Sequence, residues 1–153
     1  MNKKCGGVST LAAIAHAAGK TERTVALLPA GRGEVFAQMF SVVDDVTRLD
    51  EAMHISPQMM LAKYGSYSQM IWAGEGAQTQ LELLRAEAAR RGIDFGAETV
   101  NGSGWSLAPT NEKIAESVAQ LAWREYRSDK IIAPEDLRAN YVRPSDAEIK
   151  IHA

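Results

Sequence analysis

The sequence has one cysteine in 153 residues, Cys5, and only three histidines. A single cysteine excludes an intramolecular disulfide and every Cys-x-x-Cys metal site, and no two histidines stand at the spacing of a helical zinc site. No apolar run approaches the roughly 20 residues that a membrane-spanning helix needs. The first five residues carry two lysines, but no apolar stretch typical of an export signal follows them. We therefore expect a cytoplasmic protein without membrane contact.

Neither sign of charge dominates, because 17 lysines and arginines stand against 19 aspartates and glutamates, a net charge of −2. This balance argues against a surface that coats nucleic acid in general. Apolar types make up 46% and charged types 24%, which excludes a disordered tail or a fibrous repeat. We interpret residues 1–5 as a disordered or vector-derived start and residues 6–153 as a single domain.

Hydrophobic periodicity and turn residues predict alternating helices and strands, in the mixed α/β class. The predicted elements of the first half are a helix over 9–18 closed by Gly19, a hairpin over 24–43 with its turn at 29–33, a third antiparallel strand over 46–49, and a helix after Ser56 and Pro57 ending at Gly65. Those of the second half are a strand over 69–73, a glycine turn at 74–76, a helix through 81–91, an irregular segment over 93–109 with one strand at 98–100, a long helix over 110–127, and an extended piece at 141–143.

Nucleophilic catalysis needs a nucleophile, a base and an orienting group, and near the start of the chain only Cys5, Ser9 and His16 offer such groups. Ser9 and His16 stand about two helical turns apart, roughly 10 Å along the axis, which is too far for a direct hydrogen bond. We therefore interpret His16 as solvent-facing or satisfied elsewhere. His54 and His152 have no partner at ligand spacing, so we expect no catalytic, cofactor-binding or metal-binding residue and no cofactor.

An acidic cluster could instead support metal-assisted phosphoryl chemistry, and its members are Asp44, Asp45, Asp50 and Glu51. Neighbouring side chains of a strand point to opposite faces, so Asp44 and Asp45 are not expected to converge on one ion. A small metal-dependent hydrolase or phosphotransferase on a ribonuclease-H-like sheet nevertheless remains the alternative function.

Two glycine turns raise the question of phosphate binding: 31–33 in the hairpin, and 74–77 before a helix. Only the second has the strand-to-helix context of a phosphate site. Glu75 lies inside that turn and would repel an anion, and no Lys-Ser or Lys-Thr follows as in a P-loop. The turn is therefore expected to be a tight connection, and the chain is expected to bind no ATP.

Aromatic residues near arginines, over 123–127, are the nearest approach to a nucleic-acid strip. On a helix these side chains spread around the cylinder, and Trp123 with Tyr126 at i, i+3 is typical of the edge of a core. We therefore predict no direct nucleic-acid binding. Trp72, in an apolar strand, and Trp123 are both predicted to be buried.

Four separated motifs resemble the bacterial TsaB (YeaZ) family of the tRNA threonylcarbamoyladenosine machinery, which carries an older glycoprotease-like label. The motifs are the helix start Gly7–Leu11, the hairpin segment Arg32–Phe36, the turn Gly74–Ala77 and the segment Tyr141–Glu148. They follow the family's order along the chain. Two positions depart from the family pattern: Pro29 stands where the hairpin has Asp, and Gly31 where it has its first Arg.

The resemblance covers residues 6–150 and implies one lobe of a two-lobed actin-like (ribonuclease-H-like) fold, the C-terminal one, in which an antiparallel meander in a mixed sheet is packed by helices. The family's first-lobe motifs are not found in this sequence. The family further implies a non-catalytic scaffold subunit that binds a catalytic, ATP- and metal-dependent homologue, TsaD, once a first lobe is supplied. The nucleophile and metal-ligand patterns described above do not support the peptidase that the older label suggests.

A homodimer is also expected. In an actin-like fold the helix between the lobes has neighbours on both sides, and here only one lobe is present to cover the helix over 9–18. Its apolar residues Leu11, Ile14, Ala15 and Ala18 are therefore predicted to leave one side open. Large apolar patches are rarely bare on a soluble monomer, so this helix is predicted to form a two-fold interface.

Overall fold

The computed structural model describes residues 4–96, 104–110, 114–138 and 142. Its strands are β1 (Thr21–Gly31), β2 (Glu34–Val42), β3 (Val46–Arg48), β4 (Met53–Ile55), β5 (Gln69–Ala73) and β6 (Gly104–Leu107). Its α-helices are α1 (Thr10–Ala17), α2 (Pro57–Tyr64), α3 (Glu75–Thr79), α4 (Leu81–Arg91) and α5 (Ile114–Arg127). A short 3-10 turn follows at Pro134–Asp136.

The strands form one mixed sheet in the order β3-β2-β1-β5-β6, and β4 also pairs with β2. The β1–β2 hairpin is antiparallel, whereas β5 runs parallel to β1 and β6 runs parallel to β5. The outer edge of β2 pairs with β3 near one end and with β4 near the other, both antiparallel. This arrangement confirms the mixed α/β class and the predicted antiparallel meander.

Two strands were not predicted. β4 has only three residues, too few to show alternation, and its pairing with β2 makes it a strand. β6 lies in the segment predicted to be irregular, where Gly104 and Ser106 interrupt the apolar pattern, and parallel pairing with β5 defines it. Long-range pairing of this kind leaves little trace in local sequence.

The helix ends follow their capping residues closely. The Ser56 hydroxyl accepts a hydrogen bond of 3.3 Å from the Met59 N–H, with Pro57 at the first position of α2. Gly92 closes α4 in the left-handed conformation, at φ 67°. The predicted strand-turn-helix unit after β5 is confirmed, although Gln80 separates α3 from α4.

One face of the sheet packs against α2, α3 and α4 around Trp72. This side chain is fully buried, and its ring contacts Trp105 edge-on at 5.2 Å and Tyr64 at 6.5 Å between centroids. Such edge-to-face aromatic pairs add to the stabilisation that burial supplies. The predicted burial of Trp72 is confirmed.

The opposite face packs against α1, which α5 covers in turn. Leu11, Ile14 and Ala15 are buried among side chains of β1, β2 and β5, and Ile114 of α5 packs against the same cluster. The prediction that one side of α1 lies open is therefore wrong, because the long helix occupies the side that was expected to be bare. Of the four residues assigned to the predicted dimer interface, Leu11, Ile14 and Ala15 are buried within the protein and Ala18 is half-buried.

The position of Trp123 also differs from the prediction. Its side chain is 60% exposed and that of Tyr126 is 58% exposed, whereas Ser117 and Leu121 are the buried residues of α5. The helix contacts α1 along the stripe that contains Ser117 and Leu121, and Trp123 lies on the other side of the cylinder. Trp123 is close in sequence to the buried residues of α5, but it does not lie on the same side of the helix.

Several predictions lie outside the described residues. These are the strand at 98–100, the segment at 141–143 apart from Val142, and His152. The long helix is described from Ile114 onward, and Thr110 is not helical. The start of the chain differs from expectation in one respect, since Cys5 exchanges two backbone hydrogen bonds with Ile132, at 2.9 and 3.0 Å.

Candidate functional site

An open groove of about 1120 Å³ runs beside the N-terminal end of α1. Leu11, Leu28 and Phe36 form an apolar base, and the segments 6–10 and 136–138 form the sides. Small-molecule pockets typically enclose about 300–1,000 Å³, so this groove has the size of a site for a larger group or a polypeptide segment. We take it as the candidate functional site.

Charged side chains line the rim of the groove. Among the residues that the structure describes, Arg48, Lys130 and Arg138 contribute three positive charges, against the two negative charges of Glu125 and Asp136. A smaller recess of about 160 Å³ adjoins it and shares part of this rim. The rim is therefore more positive than the chain as a whole, which favours an acidic binding partner.

Gly6 and Gly7 form one side of the groove where it meets neighbouring elements. A Cβ added to Gly7 would lie 2.6 Å from Leu137 Cδ1, and one added to Gly6 would lie 3.1 Å from Glu125 Oε2. The chain therefore passes close to α5 and to residue 137, and a side chain at position 7 would require the end of the Leu137 side chain to shift. The pairing of Cys5 and Ile132 holds the start of this segment beside residue 132.

The structure gives the histidine candidate a partner that the sequence did not indicate. His16 Nδ1 lies 3.1 Å from Ser117 Oγ, and Ser117 is buried between α1 and α5. Burial, followed by the nearby Arg124 guanidinium, lowers the pKa of His16. Ser9, the other candidate, lies at the N-cap of α1 on the groove. The contact between His16 and Ser117 holds α1 and α5 together, and burial shields the Ser117 hydroxyl from a substrate.

The acidic candidates do not converge. Asp45 accepts a hydrogen bond from the Val46 N–H at 2.8 Å and another from Arg124 at 3.0 Å, on the α5 side of the sheet. These two bonds hold the pKa of Asp45 below its usual value. Asp44 and Glu51 are exposed.

Asp50 lies on the opposite side of the sheet, where its carboxylate supports the hydrophobic core. It accepts hydrogen bonds from the Met39 N–H at 2.7 Å and the Tyr64 hydroxyl at 2.8 Å, and it pairs with Lys63 at 3.0 Å. Burial, followed by this carboxylate, raises the pKa of Tyr64. Within the described ranges, no three His, Cys, Asp or Glu side chains are grouped so that they could hold a metal ion.

The glycine turn before α3 serves packing rather than phosphate binding. A Cβ on Gly74 would lie 2.3 Å from the Leu27 carbonyl oxygen, and one on Gly76 would lie 2.9 Å from the Leu27 carbonyl carbon. The turn is thus pressed against β1, and α3 itself has five residues. The tight strand-to-helix connection predicted for this segment is confirmed.

The hairpin motif Arg32–Phe36 lies on β2 and the exposed turn before it. Glu34 Oε2 lies 2.8 Å from His54 Nε2 on β4, and the Phe36 ring lies 5.3 Å from the His54 ring. His54 is therefore held by β2, and Phe36 also faces the groove. Arg48, Lys130 and Ser117 were missed as candidates because their neighbours come from distant parts of the chain.

None of the described helices combines the length and the apolar character that a membrane span requires. No protein-family model matches the chain, and no curated protein matches its sequence.

The fold does match solved structures. One is YeaZ from Pseudomonas aeruginosa, at a TM-score of 0.59 and 19% identity over 91% of this chain. Another is an uncharacterized protein with similarity to peptidase YeaZ from Pseudomonas aeruginosa, at a TM-score of 0.61 and 18% identity over 89% of this chain. The resemblance inferred from the motifs is thus confirmed at the level of fold. The chain spans 59% and 57% of the lengths of these two structures.

Proposed function

We propose that this chain is a non-catalytic scaffold subunit, or one lobe of one, of the cytoplasmic machinery that makes threonylcarbamoyladenosine in tRNA. Its partner is a TsaD-like catalytic homologue, and the part of YeaZ that this chain does not span supplies the first lobe. The actin-like architecture belongs to this proposal, supported by a mixed sheet in which an antiparallel meander continues into parallel strands.

The observation that carries the proposal is the fold shared with YeaZ over nine tenths of the chain, in the presence of the family's motifs. Three of the four motifs lie among the described residues. Gly7–Leu11 leads into α1 beside the groove, Arg32–Phe36 forms the hairpin, and Gly74–Ala77 connects β5 to α3. Each lies at a connection between elements, where the shared fold constrains the backbone.

A scaffold role agrees with the use of the reactive side chains. His16 is engaged with Ser117 in helix packing, and Asp50 accepts three interactions from the core around Tyr64. Both groups contribute to the fold itself. The alternative function, a metal-dependent hydrolase or phosphotransferase, would use Asp44, Asp45 or Asp50 with a divalent ion. Asp45 and Asp50 lie on opposite sides of the sheet, and Arg124 and Tyr64 respectively bind their carboxylates.

The groove beside α1 is the surface that we assign to the partner. Its apolar base and positively charged rim suit an extended segment with acidic side chains. Arg48 and Lys130 stand on this rim and are exposed.

Binding of the TsaD-like homologue of the same organism, measured by biolayer interferometry with and without the remaining part of YeaZ, tests this assignment. Arg48→Glu and Lys130→Glu should each weaken binding about tenfold, since truncated charge pairs at an interface cost about that much or more. Arg85→Glu on the exposed side of α4 is the matched control and should leave binding unchanged. Equal binding by all three variants would place the partner elsewhere.

A further inference from the structure

Helix α5 presents a second apolar face, opposite the one that packs on α1. This outer face of α5 consists of Ala115, Ala119, Trp123 and Tyr126, which fall on one side of the cylinder at 100° per residue. Trp123 and Tyr126 are 60% and 58% exposed. Their rings stack at 5.4 Å with an angle of 22°, so they form one continuous aromatic surface.

We propose that two copies of this chain associate through the outer faces of α5, packed antiparallel about a two-fold axis near residue 121. A two-fold interface requires a surface that is complementary to itself. Both the sizes and the charges along this helix meet that requirement.

The side chains of the face are complementary in size because the two-fold axis places the small residues of one copy opposite the large residues of the other. Ala115 and Ala119 stand toward the N-terminal end of the face, and Trp123 and Tyr126 stand toward the C-terminal end. In an antiparallel pair Tyr126 lies over the partner copy's alanine at position 115, and Trp123 lies over the one at position 119. In both pairings the mean of the two residue numbers lies within half a residue of 121, so a single two-fold axis accommodates both. The alanines leave the space that the rings need.

The charges are complementary along one edge of the same face. Glu116 and Arg127 both flank Trp123 on the helical wheel and are about three turns apart. Antiparallel pairing brings Glu116 of one copy opposite the arginine at position 127 of the other, twice, whereas parallel pairing would oppose like charges. The midpoint of this pairing also falls within half a residue of position 121.

The area available sets the strength of the association. A Trp or Tyr side chain buries about 150–250 Å², so with three fifths exposed each contributes on the order of 100 Å². Four such rings, together with the alanines and the charged residues at the edge, would bury a total area that is at most near the lower end of the 1,200–2,000 Å² typical of specific interfaces. The association is therefore expected to be weak and reversible, in the micromolar range or above.

RNA is the other occupant that a stacked aromatic pair beside arginines could suggest. Arg124 is already paired with Asp45 at 3.0 Å, and Glu116 and Glu125 stand on the same helix. These acidic groups disfavour a phosphate backbone, and Glu116 is needed in the antiparallel pair.

Sedimentation velocity over low micromolar to millimolar concentrations, with exchanged charges, tests the proposal. Glu116→Arg and Arg127→Glu should each weaken self-association at least about fivefold, because each places like charges opposite one another at both ends. An equimolar mixture of the two variants should recover the affinity of the unchanged chain, since both opposed pairs are then attractive. Trp123→Asp should abolish association.

Glu82→Arg, on the exposed side of α4, is the control and should associate like the unchanged chain. Circular dichroism should show equal helix content for every variant, because all the altered side chains are exposed. A chain that stays monomeric at millimolar concentration, or a mixture that does not recover affinity, would overturn the proposal. So would a monomer that binds a single-stranded RNA oligonucleotide through Trp123.

Discussion

His16 and Ser117 join two helices that are 101 residues apart in the chain, with 3.1 Å between the imidazole Nδ1 and the hydroxyl oxygen. The contact holds α5 against α1, and α5 thereby covers the side of α1 that was predicted to be exposed. It also positions the end of α5, from which Glu125 reaches the groove.

The His16 contact predicts a pH dependence of stability. Burial lowers the pKa of His16 in the folded protein, so the unfolded chain binds a proton more readily as the pH falls below 6.5. The free energy of unfolding should therefore be unaffected by this group at higher pH and should decrease as the pH falls from 6.5 towards the folded-state pKa. Urea denaturation between pH 8 and pH 5 measures this decrease.

His16→Asn is the comparison for that series. Its free energy of unfolding should change less with pH over the same range, because the titrating group is absent. Asp45 titrates below its ordinary value of 3.8 and so does not contribute in this window. Parallel pH profiles of the two proteins would show that the imidazole is equally accessible to protons in both states.

Trp72 and Trp123 should respond in opposite ways to truncation. Trp72→Ala empties a fully buried site between Tyr64 and Trp105 and should cost about 3–5 kcal/mol. Trp123→Ala changes an exposed side chain and should alter the free energy of unfolding by about 0.5 kcal/mol or less at concentrations where the chain is monomeric. Chemical denaturation of both variants decides, and equal losses would contradict the packing described for α5.

Gly74 and Gly19 form a matched pair for the strand-to-helix turn. Both have positive φ angles, 94° and 97°, but a Cβ at Gly74 meets the Leu27 carbonyl oxygen at 2.3 Å, whereas a Cβ at Gly19 meets none of the described residues within 4 Å. Gly19→Ala should cost about 1–2 kcal/mol of backbone strain. Gly74→Ala should cost clearly more, as measured by thermal or urea unfolding, and a similar loss at the two sites would show that β1 yields to the added methyl group.

Asp50 should behave as a structural group rather than a metal ligand. Asp50→Ala removes the acceptor for the Met39 N–H and the Tyr64 hydroxyl and should cost about 1–3 kcal/mol. Millimolar magnesium or manganese should leave the Tm of the unchanged chain where it is. A saturable rise in Tm with either ion, lost in Asp50→Asn, would instead favour the metal-dependent hydrolase or phosphotransferase.

Local patterns predicted the parts of the fold that local chemistry determines. The hairpin around Gly31 to Gly33, the Ser56 cap and the strand before Gly74 follow from turn and capping residues within a few positions. By contrast, β6, the packing of α5 over α1 and the charged rim of the groove all depend on contacts between residues that are far apart in the chain. The burial of Trp123 was mispredicted for the same reason, because the side of α5 that faces α1 is set by Ser117 and Leu121.

The most direct test of the scaffold assignment is the formation of threonylcarbamoyladenosine on tRNA in vitro. The TsaD-like homologue is supplied with tRNA, ATP and a threonylcarbamoyl donor, and this chain is added with and without the remaining part of YeaZ. The account predicts that modified nucleoside, measured by mass spectrometry, increases with this chain in the presence of the homologue and is absent with this chain alone. Product formed by this chain alone, or product that does not depend on it in either arm, would contradict a non-catalytic partner role.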